Sequence, residues 1–299
     1  MGKSGPRRKD DAPTQPAPTS QRRALGPGRV RPIGFGAMRL AGPNVFGPPA
    51  DRPQAIALLR AAVDNGVDHI DTAQYYGPDV VNELIREALH PYPSDLVLVS
   101  KVGATRDRSG AILAYDHPDQ LRRGIEDNLR TLRIDRLSVV NLRLMRGSAP
   151  DTLFDDQLEA MIAARDDGLI NGVGLSNVSL AHLQRAVSVV EVVCVQNAFH
   201  PADRASEPVL EECARRGIAF VPFAPLGFGT SSILANPTLA RVAKRLGCTP
   251  AQACLAWELR TAANILLIPG TSSRDHLFEN LAASRVVLDA EAVLAISQM

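Results

Sequence analysis

The sequence predicts a single (β/α)8 barrel, a TIM barrel of the α/β class. Short β-rich runs alternate with amphipathic helical stretches as far as the C-terminus, a pattern typical of repeated βα units around a parallel sheet. Eight such runs occur, about 30 residues apart on average, which suits one closed barrel. The GxGxxG pattern of a doubly wound dinucleotide-binding domain is absent from the sequence. A closed barrel therefore fits better than an open sheet divided by a second domain.

The predicted strands are short and rich in aliphatic and β-branched residues. In chain order they cover residues 33–37, 69–72, 96–101, 137–142, 169–175, 192–196, 219–223 and 265–268. A helical run follows each strand, with apolar residues at three- and four-residue spacing such as Leu121, Ile125 and Leu129. Asp51 and Ser179 each precede a helical run and are suited to be N-caps.

Both ends of the chain differ from this repeat. Residues 1–25 are rich in Pro, Ser, Gln and Thr, so we expect a disordered N-terminal tail there. Residues 26–299 show no internal linker and form one predicted barrel domain. Within it, residues 289–299 predict a last helix across the barrel or its mouth.

Composition limits the class of partner. The 33 basic and 32 acidic residues give a net charge of +1, which favours neither nucleic acid nor an anionic membrane. No apolar run reaches the roughly 18 residues of a membrane span, and no secretory signal is recognisable, so we expect a cytoplasmic protein. The four cysteines form no CxxC pair, so neither a disulfide framework nor a metal site is predicted. A small molecule is the expected partner.

Polar side chains gather where the second and third predicted strands end. Asp71 and Tyr76 follow the second strand, and Lys101 ends the third. Because catalytic groups of such barrels lie at the C-terminal ends of strands, we expect these side chains to meet at one mouth. An ammonium group near a tyrosine is expected to lower the pKa of its hydroxyl, and a carboxylate would hold that ammonium in place. The combination predicts a proton-transfer site, although each residue alone is compatible with a structural ion pair or a turn.

The motif Asp-Thr-Ala-x-x-Tyr-Gly at 71–77, with a following strand that ends in lysine, resembles the aldo-keto reductases. The resemblance covers about residues 28–285. Within it, residues 34–40 look like the first strand and turn of that family, and residues 121–135 look like the helix before its fourth strand.

This resemblance implies an enzyme that reduces an aldehyde or ketone to an alcohol with NADPH. It implies that Asp71, Tyr76 and Lys101 are catalytic and that Tyr76 is the general acid. A nucleotide-binding regulatory module of the same fold, with little turnover, is the alternative function.

The fourth strand departs from the family pattern, because Arg143 stands where a histidine is usual. Arginine can also donate a hydrogen bond to a substrate carbonyl, with a fixed fork of donors and a permanent charge. Such a residue would favour an anionic oxygen on the substrate. In the alternative arrangement Arg143 turns away to pair with a carboxylate, leaving Asn141 or water near the carbonyl.

The resemblance also implies a cofactor groove along the ends of the last four strands. At the nicotinamide end, hydroxyl and amide groups can bond the carboxamide, and an aromatic ring can stack on the nicotinamide. The residues expected there are Ser176, Asn177, Gln196, Phe223, Pro225 and Leu226.

At the adenosine-phosphate end, hydroxyl groups, the start of a helix and one guanidinium favour binding of a phosphate. These groups favour NADPH. The family often carries Lys and Arg at positions held here by Gly270 and His276, which leaves NADH open as the cofactor. The residues expected along this end are Gly270, Thr271, Ser272, Ser273, Arg274, His276, Glu279 and Asn280.

The substrate side of the mouth is expected to be apolar and aromatic, which suits a flat or ring-bearing aldehyde. Its candidate lining residues are Met38, Phe46, Tyr75 and Met145. Residues 140–143 and 268–273 resemble a bacterial subgroup of the family that is associated with pyridoxal reduction.

Overall fold

The computed structural model describes residues 21–145, 147, 149–227 and 233–299. Its strands are β1 (Arg23–Leu25), β2 (Gly28–Val30), β3 (Phe35–Gly36), β4 (His69–Asp71), β5 (Val97–Arg106), β6 (Ile112–Tyr115), β7 (Leu137–Arg143), β8 (Ile170–Ser176), β9 (Val192–Gln196) and β10 (Ala219–Phe220). The main sheet has the order β3-β4-β5-β7-β8-β9-β10, and all of its neighbouring strands are parallel. β6 was not predicted and extends β5 as an antiparallel hairpin.

The eighth position of the barrel is occupied by residues that close the sheet between β10 and β3. Ile265 pairs with Phe220, and Leu267 pairs with Ile33, both in parallel. The eighth predicted strand is thus present as single bridges, because each of its edges makes few consecutive backbone hydrogen bonds. This closed arrangement confirms the predicted (β/α)8 barrel.

Helices cover the outside of the barrel. They are α1 (Arg52–Asp64), α2 (Val80–Leu89), α3 (Pro118–Leu132), α4 (Thr152–Asp166), α5 (Leu180–Val187), α6 (Glu207–Arg216), α7 (Pro237–Leu246), α8 (Pro250–Thr261), α9 (Arg274–Ala282) and α10 (Ala290–Ser297). The predicted N-caps are confirmed, since Asp51 and Ser179 each accept a hydrogen bond from a backbone N–H in the first turn. The predicted last helix is α10, and it packs against α7 and α8. None of the helices described combines the length and apolar character needed to cross a bilayer.

Side chains that alternate along the parallel strands point into the barrel. Its lower layers form one buried apolar cluster, made of Leu25, Val30, Val97, Val99, Val139, Cys194, Ala219, Val221, Leu266 and Ile268. The same alternation continues upward from Val99 to Lys101 on β5 and from Val139 to Asn141 on β7. Polar residues therefore occupy the C-terminal end of the barrel interior.

The hairpin of β1 and β2 corrects the predicted boundary of the N-terminal tail. Residues 1–20 lie outside the described residues, so the structure does not test the disorder predicted for them. Arg23–Leu25, however, pair with β2, and Leu25 packs into the barrel interior. The ordered domain therefore begins before residue 26. The segment was mistaken for tail because three residues are too short to show a strand period.

The Arg23 side chain connects this hairpin to the barrel by hydrogen bonds. Its side chain is buried, and its guanidinium donates to the carbonyl oxygens of Ile265 and Leu259, the latter at 3.0 Å. Burial lowers the pKa of Arg23 to about 10, so the side chain stays charged at neutral pH.

We expect Arg23→Ala to lower the free energy of unfolding by about 2–4 kcal/mol, because it leaves buried carbonyl groups without donors. Chemical denaturation followed by circular dichroism measures this change. Arg29→Ala is the matched control: Arg29 is an exposed neighbour in the same hairpin, and its loss should change stability by less than about 0.5 kcal/mol. Equal losses in the two variants would contradict the role assigned to Arg23.

Candidate active site

A cavity of about 380 Å³ opens at the C-terminal ends of the barrel strands. This is the location that the barrel architecture predicts for an active site. The predicted catalytic and cofactor-binding residues that line it are Asp71, Tyr76, Lys101, Arg143, Ser176, Gln196, Phe223, Pro225, Leu226 and Gly270. The described residues contain no group of His, Cys, Asp or Glu that could hold a metal ion.

Asp71 and Lys101 form a buried ion pair at the base of this cavity. The Lys101 ammonium donates to one carboxylate oxygen of Asp71 and, at 3.0 Å, to the carbonyl oxygen of Thr72. The second carboxylate oxygen of Asp71 accepts a hydrogen bond of 2.5 Å from the Gln196 amide nitrogen. Burial alone would lower the pKa of Lys101, but Asp71, Tyr76 and Tyr75 together outweigh burial and place this pKa above its usual range. Lys101 therefore stays protonated.

Tyr76 lies beside this ion pair, with the Lys101 nitrogen 5.2 Å from the centroid of its ring. Burial raises the pKa of the Tyr76 hydroxyl to about 12, and the lowering influence of Lys101 is smaller. Lys101 does lower this pKa as expected, but burial raises it by more, because the side chain is almost entirely removed from water. The consequence is a phenol that remains protonated at neutral pH and holds a proton to donate.

Arg143 ends β7 and faces the cavity. Its terminal nitrogen donates to the Tyr75 hydroxyl at 3.3 Å, and its guanidinium carbon lies 5.9 Å from the centroid of the Tyr75 ring. Among the described residues no carboxylate lies within ion-pair distance of Arg143, so the expected alternative of a carboxylate partner is not adopted. The Nε atom of Arg143 is buried without a hydrogen-bond partner in the described part of the chain.

Asn141 lies two residues earlier on β7, level with Lys101 in the strand register. It is fully buried, and neither of its amide atoms has a partner among the residues described. A side chain at position 174 would collide with it, since a Cβ there would lie 1.9 Å from the Asn141 oxygen. Gly174 thus makes room for this amide. Arg143 lines the cavity wall, and Asn141 is not part of it.

The expected nicotinamide ligands separate into two groups. Ser176 and Gln196 are buried at the cavity wall, and the Oε1 atom of Gln196 has no partner in the described structure. This orphaned acceptor fits an amide N–H group, as the carboxamide of a nicotinamide would supply. Asn177 differs, because its amide donates to the Leu144 carbonyl at 2.8 Å and it is not part of the cavity wall.

Apart from Gly270, the residues expected at the adenosine-phosphate end lie beyond this cavity, on the turn before α9 and along that helix. Ser273 caps α9, since its hydroxyl accepts from the His276 N–H. Gly270 lies at the cavity edge, where a Cβ would be 2.7 Å from the Gly36 carbonyl oxygen. The exposed Arg274 guanidinium begins the helix. Hydroxyls, backbone N–H groups and a cation at a helix start fit a phosphate group.

Some cavity residues were missed by sequence analysis. Arg39 lines the mouth just after β3, and its position behind a strand end was an available signal. Leu234 comes from the short 3-10 turn Ile233–Ala235, for which the sequence gives no signal. Of the expected substrate-lining residues, Met38 does line the cavity, whereas Tyr75 is buried behind Arg143.

The sequence matches the aldo/keto reductase family over residues 32–299. The chain belongs to this family, and it is therefore an oxidoreductase. It is 46% identical over 272 residues to pyridoxine 4-dehydrogenase of Escherichia coli (strain K12), an alignment that covers 90% of this chain and 94% of that protein. An uncharacterized oxidoreductase of Schizosaccharomyces pombe is 35% identical over 271 residues, with 90% and 86% covered.

Solved structures agree with this assignment. A thermostable aldo-keto reductase in complex with the inhibitor epalrestat superposes with a TM-score of 0.80 at 29% identity, covering 93% of this chain and 99% of that one. An aldo/keto reductase of Klebsiella pneumoniae in complex with NADP and acetate gives 0.78 at 28% identity, with 93% and 94% covered. The predictions of family, barrel fold and NADP(H)-dependent class of oxidoreductase are confirmed.

We expect Lys101→Met to lower the free energy of unfolding by about 3–5 kcal/mol, because the Asp71 carboxylate would stay buried without its counter-ion. The double variant Asp71→Asn, Lys101→Met removes both charges and should recover much of that loss. Denaturant titrations of the two variants and the wild type give the comparison. A double variant at least as unstable as Lys101→Met would show that the ion pair does not determine the effect.

Proposed function

We propose that this protein uses NADPH to reduce an aromatic aldehyde that carries an acidic hydroxyl beside the carbonyl, as pyridoxal does. The observation that carries the proposal is the Arg143 guanidinium in the cavity wall, without a carboxylate partner in the described structure. A fixed positive charge at this place favours a phenolate-like oxygen on the substrate. The similarity to pyridoxine 4-dehydrogenase supports the same class of substrate.

NADPH, when bound, supplies the hydride that reaches the carbonyl carbon. We assign its nicotinamide end to the cavity, where Ser176 and the orphaned oxygen of Gln196 would hold the carboxamide and Phe223 would stack on the ring. We assign its adenosine phosphate to the start of α9, with Arg274 as the cation. The preference for NADPH over NADH rests on that contact.

Tyr76 would donate the proton to the carbonyl oxygen, because its hydroxyl is protonated and lies in the cavity wall. Lys101 stabilises the negative charge that develops on the tyrosine as the proton leaves. Asp71 holds Lys101 charged and in place through the buried ion pair. Arg143 would donate to the substrate oxygen through guanidinium N–H groups that are not bonded to Tyr75.

The proposal is tested by following NADPH oxidation with a panel of aldehydes. Turnover with pyridoxal or another ortho-hydroxy aromatic aldehyde is the expected result. If the protein bound NADPH but oxidised it with none of the aldehydes, the alternative of a nucleotide-binding regulatory module would replace the enzyme proposed here.

Tyr76→Phe removes the only proton donor that we assign to the reaction, so turnover should fall by about two to four orders of magnitude. NADPH affinity, measured by fluorescence titration, should be unchanged, because the ring that packs in the wall is retained. Turnover close to that of the wild type would remove Tyr76 from the mechanism.

The role of Arg143 is tested by comparing Arg143→His and Arg143→Ala with the wild type on two aldehydes of equal size, only one of which carries an ortho hydroxyl. Arg143→Ala should slow the hydroxylated substrate by at least about tenfold more than the other, since a charge-assisted hydrogen bond is lost. The wild-type pH–rate profile should show no histidine limb between about pH 5 and 8 at this position, because a guanidinium does not titrate there. The Arg143→His variant should introduce one.

Two results would count against this assignment. Full activity of Arg143→Ala on both aldehydes would make Arg143 a structural residue that only holds Tyr75. Equal losses of activity on both aldehydes would mean that Arg143 donates to the carbonyl oxygen but does not select substrates with an ortho hydroxyl.

A further inference from the structure

A second cavity, of about 600 Å³, shares no residue with the active-site cavity and has a different chemical character. It lies between the strand that leads into β3, the end of α1 and the second half of α9. Three guanidinium groups line it, from Arg22, Arg31 and Arg285, and its lining contains no acidic residue. We refer to it as the basic cavity. Its size is within the usual range of about 300–1,000 Å³ for small-molecule sites.

Two of the three charges in the basic cavity are not balanced by carboxylates. Arg22 forms an ion pair with Asp68 at 3.0 Å. Arg31 and Arg285 have no ion-pair partner among the residues the structure describes. The chain as a whole carries a net charge of only +1, so this is a local excess of positive charge. Such an arrangement attracts anions.

The position of Arg31 depends on a glycine beside it. A Cβ at Gly66 would lie 1.8 Å from a terminal nitrogen of Arg31, so the guanidinium lies directly against the backbone of Gly66. The backbone N–H of Arg31 is also fixed, since it donates to both oxygens of the buried Asp68 at 3.0 and 3.1 Å. The Arg31 side chain is exposed, and it extends from this fixed backbone with its guanidinium at the cavity beside Gly66.

The rest of the basic cavity is partly apolar. Phe278 and Leu281 of α9 and Ile33 contribute to its lining, and Phe278 is 38% exposed, an unusual exposure for a phenylalanine. Guanidinium groups beside an aromatic side chain suit a ligand with one anionic and one flat apolar part. A phosphate monoester suits two guanidinium groups better than a carboxylate does, because it carries about −1.5 to −2 charges and has three strong acceptor oxygens.

We propose that the basic cavity is a second ligand site, which binds a small phosphate ester. Arg31 and Arg285 hold the phosphate, and Phe278 packs against an aromatic or other flat apolar group of the ester. The site adjoins the cofactor phosphate site assigned to the start of α9, since the Arg274 guanidinium lies 5.5 Å from the centroid of the Phe278 ring. It shares no lining residue with the active-site cavity and does not depend on the proposed reductase function.

Phenyl phosphate and inorganic phosphate are the probes, titrated by calorimetry into the full chain with saturating NADP so that the cofactor site is filled. We expect Arg31→Ala and Arg285→Ala each to weaken binding of both probes by about tenfold or more. Arg108→Ala is the matched control, because Arg108 is exposed on the β5–β6 turn and makes no ion pair in the described structure. Its affinities should equal those of the wild type.

Phe278→Ala separates the two parts of the ligand. It should weaken phenyl phosphate by several fold and leave inorganic phosphate unchanged. Arg31→Lys keeps the charge but loses the guanidinium fork, so its affinity for both probes should lie between those of the wild type and Arg31→Ala. Because this substitution is conservative, it tests the same contact if an alanine variant fails to fold. Binding that is absent in the wild type, or weakened equally by Arg108→Ala, would overturn the proposal. Phenyl phosphate affinity independent of Phe278 would overturn its aromatic part.

Discussion

The site depends on one buried carboxylate, that of Asp71, and on the two donors that the parallel register brings to it. Burying a carboxylate is costly unless it is paired and hydrogen-bonded. Lys101 from β5 and Gln196 from β9 satisfy one oxygen each. This contact also fixes the orientation of the Gln196 amide, because its nitrogen is committed to Asp71 and its oxygen is left without a partner in the described structure. Asp71 keeps Lys101 charged and also orients the Gln196 oxygen that we assign to the cofactor carboxamide. The proton-transfer site and the nicotinamide site therefore both depend on Asp71.

The strands and the residues at their ends could be predicted because the signals are local. The alternation of strand and helix, and a motif of seven residues beginning at Asp71, are enough to assign the mouth of a parallel barrel. Features that depend on distant parts of the chain could not be predicted. Asn177 turns from the cavity because of a carbonyl on Leu144, 33 residues away. The pKa of Tyr76 rises because the folded chain buries it, whereas the sequence motif indicates only Lys101, which lowers this pKa. The β1–β2 hairpin could not be predicted because its position depends on the packing of Leu25 in the barrel interior.

The two adjacent tyrosines show how a short segment can organise separate functions. Tyr75 and Tyr76 pack edge to face with centroids 5.3 Å apart, which sets their hydroxyls in different surroundings. Tyr75 accepts a hydrogen bond from Arg143, and Tyr76 faces Lys101. The turn that follows β4 therefore positions both Tyr76, the assigned acid, and Tyr75, which accepts a hydrogen bond from Arg143. A histidine at position 143 has a shorter side chain and would not reproduce the contact with Tyr75, so this tyrosine and the arginine are best understood as a pair.

The polar atoms that lack partners follow from the same geometry. The Nε atom of Arg143, the Oε1 atom of Gln196 and the amide of Asn141 are buried without hydrogen bonds in the described structure. Each such group costs on the order of 1–3 kcal/mol in an isolated fold. Two of them belong to residues of the cavity wall, where a ligand can supply the missing partner. In the site proposed above, a ligand that satisfies these groups would bind the folded state and so stabilise it relative to the unfolded state. Under the assignment proposed above, matching polar groups on the ligand would offset a cost that an apolar cavity wall would not carry.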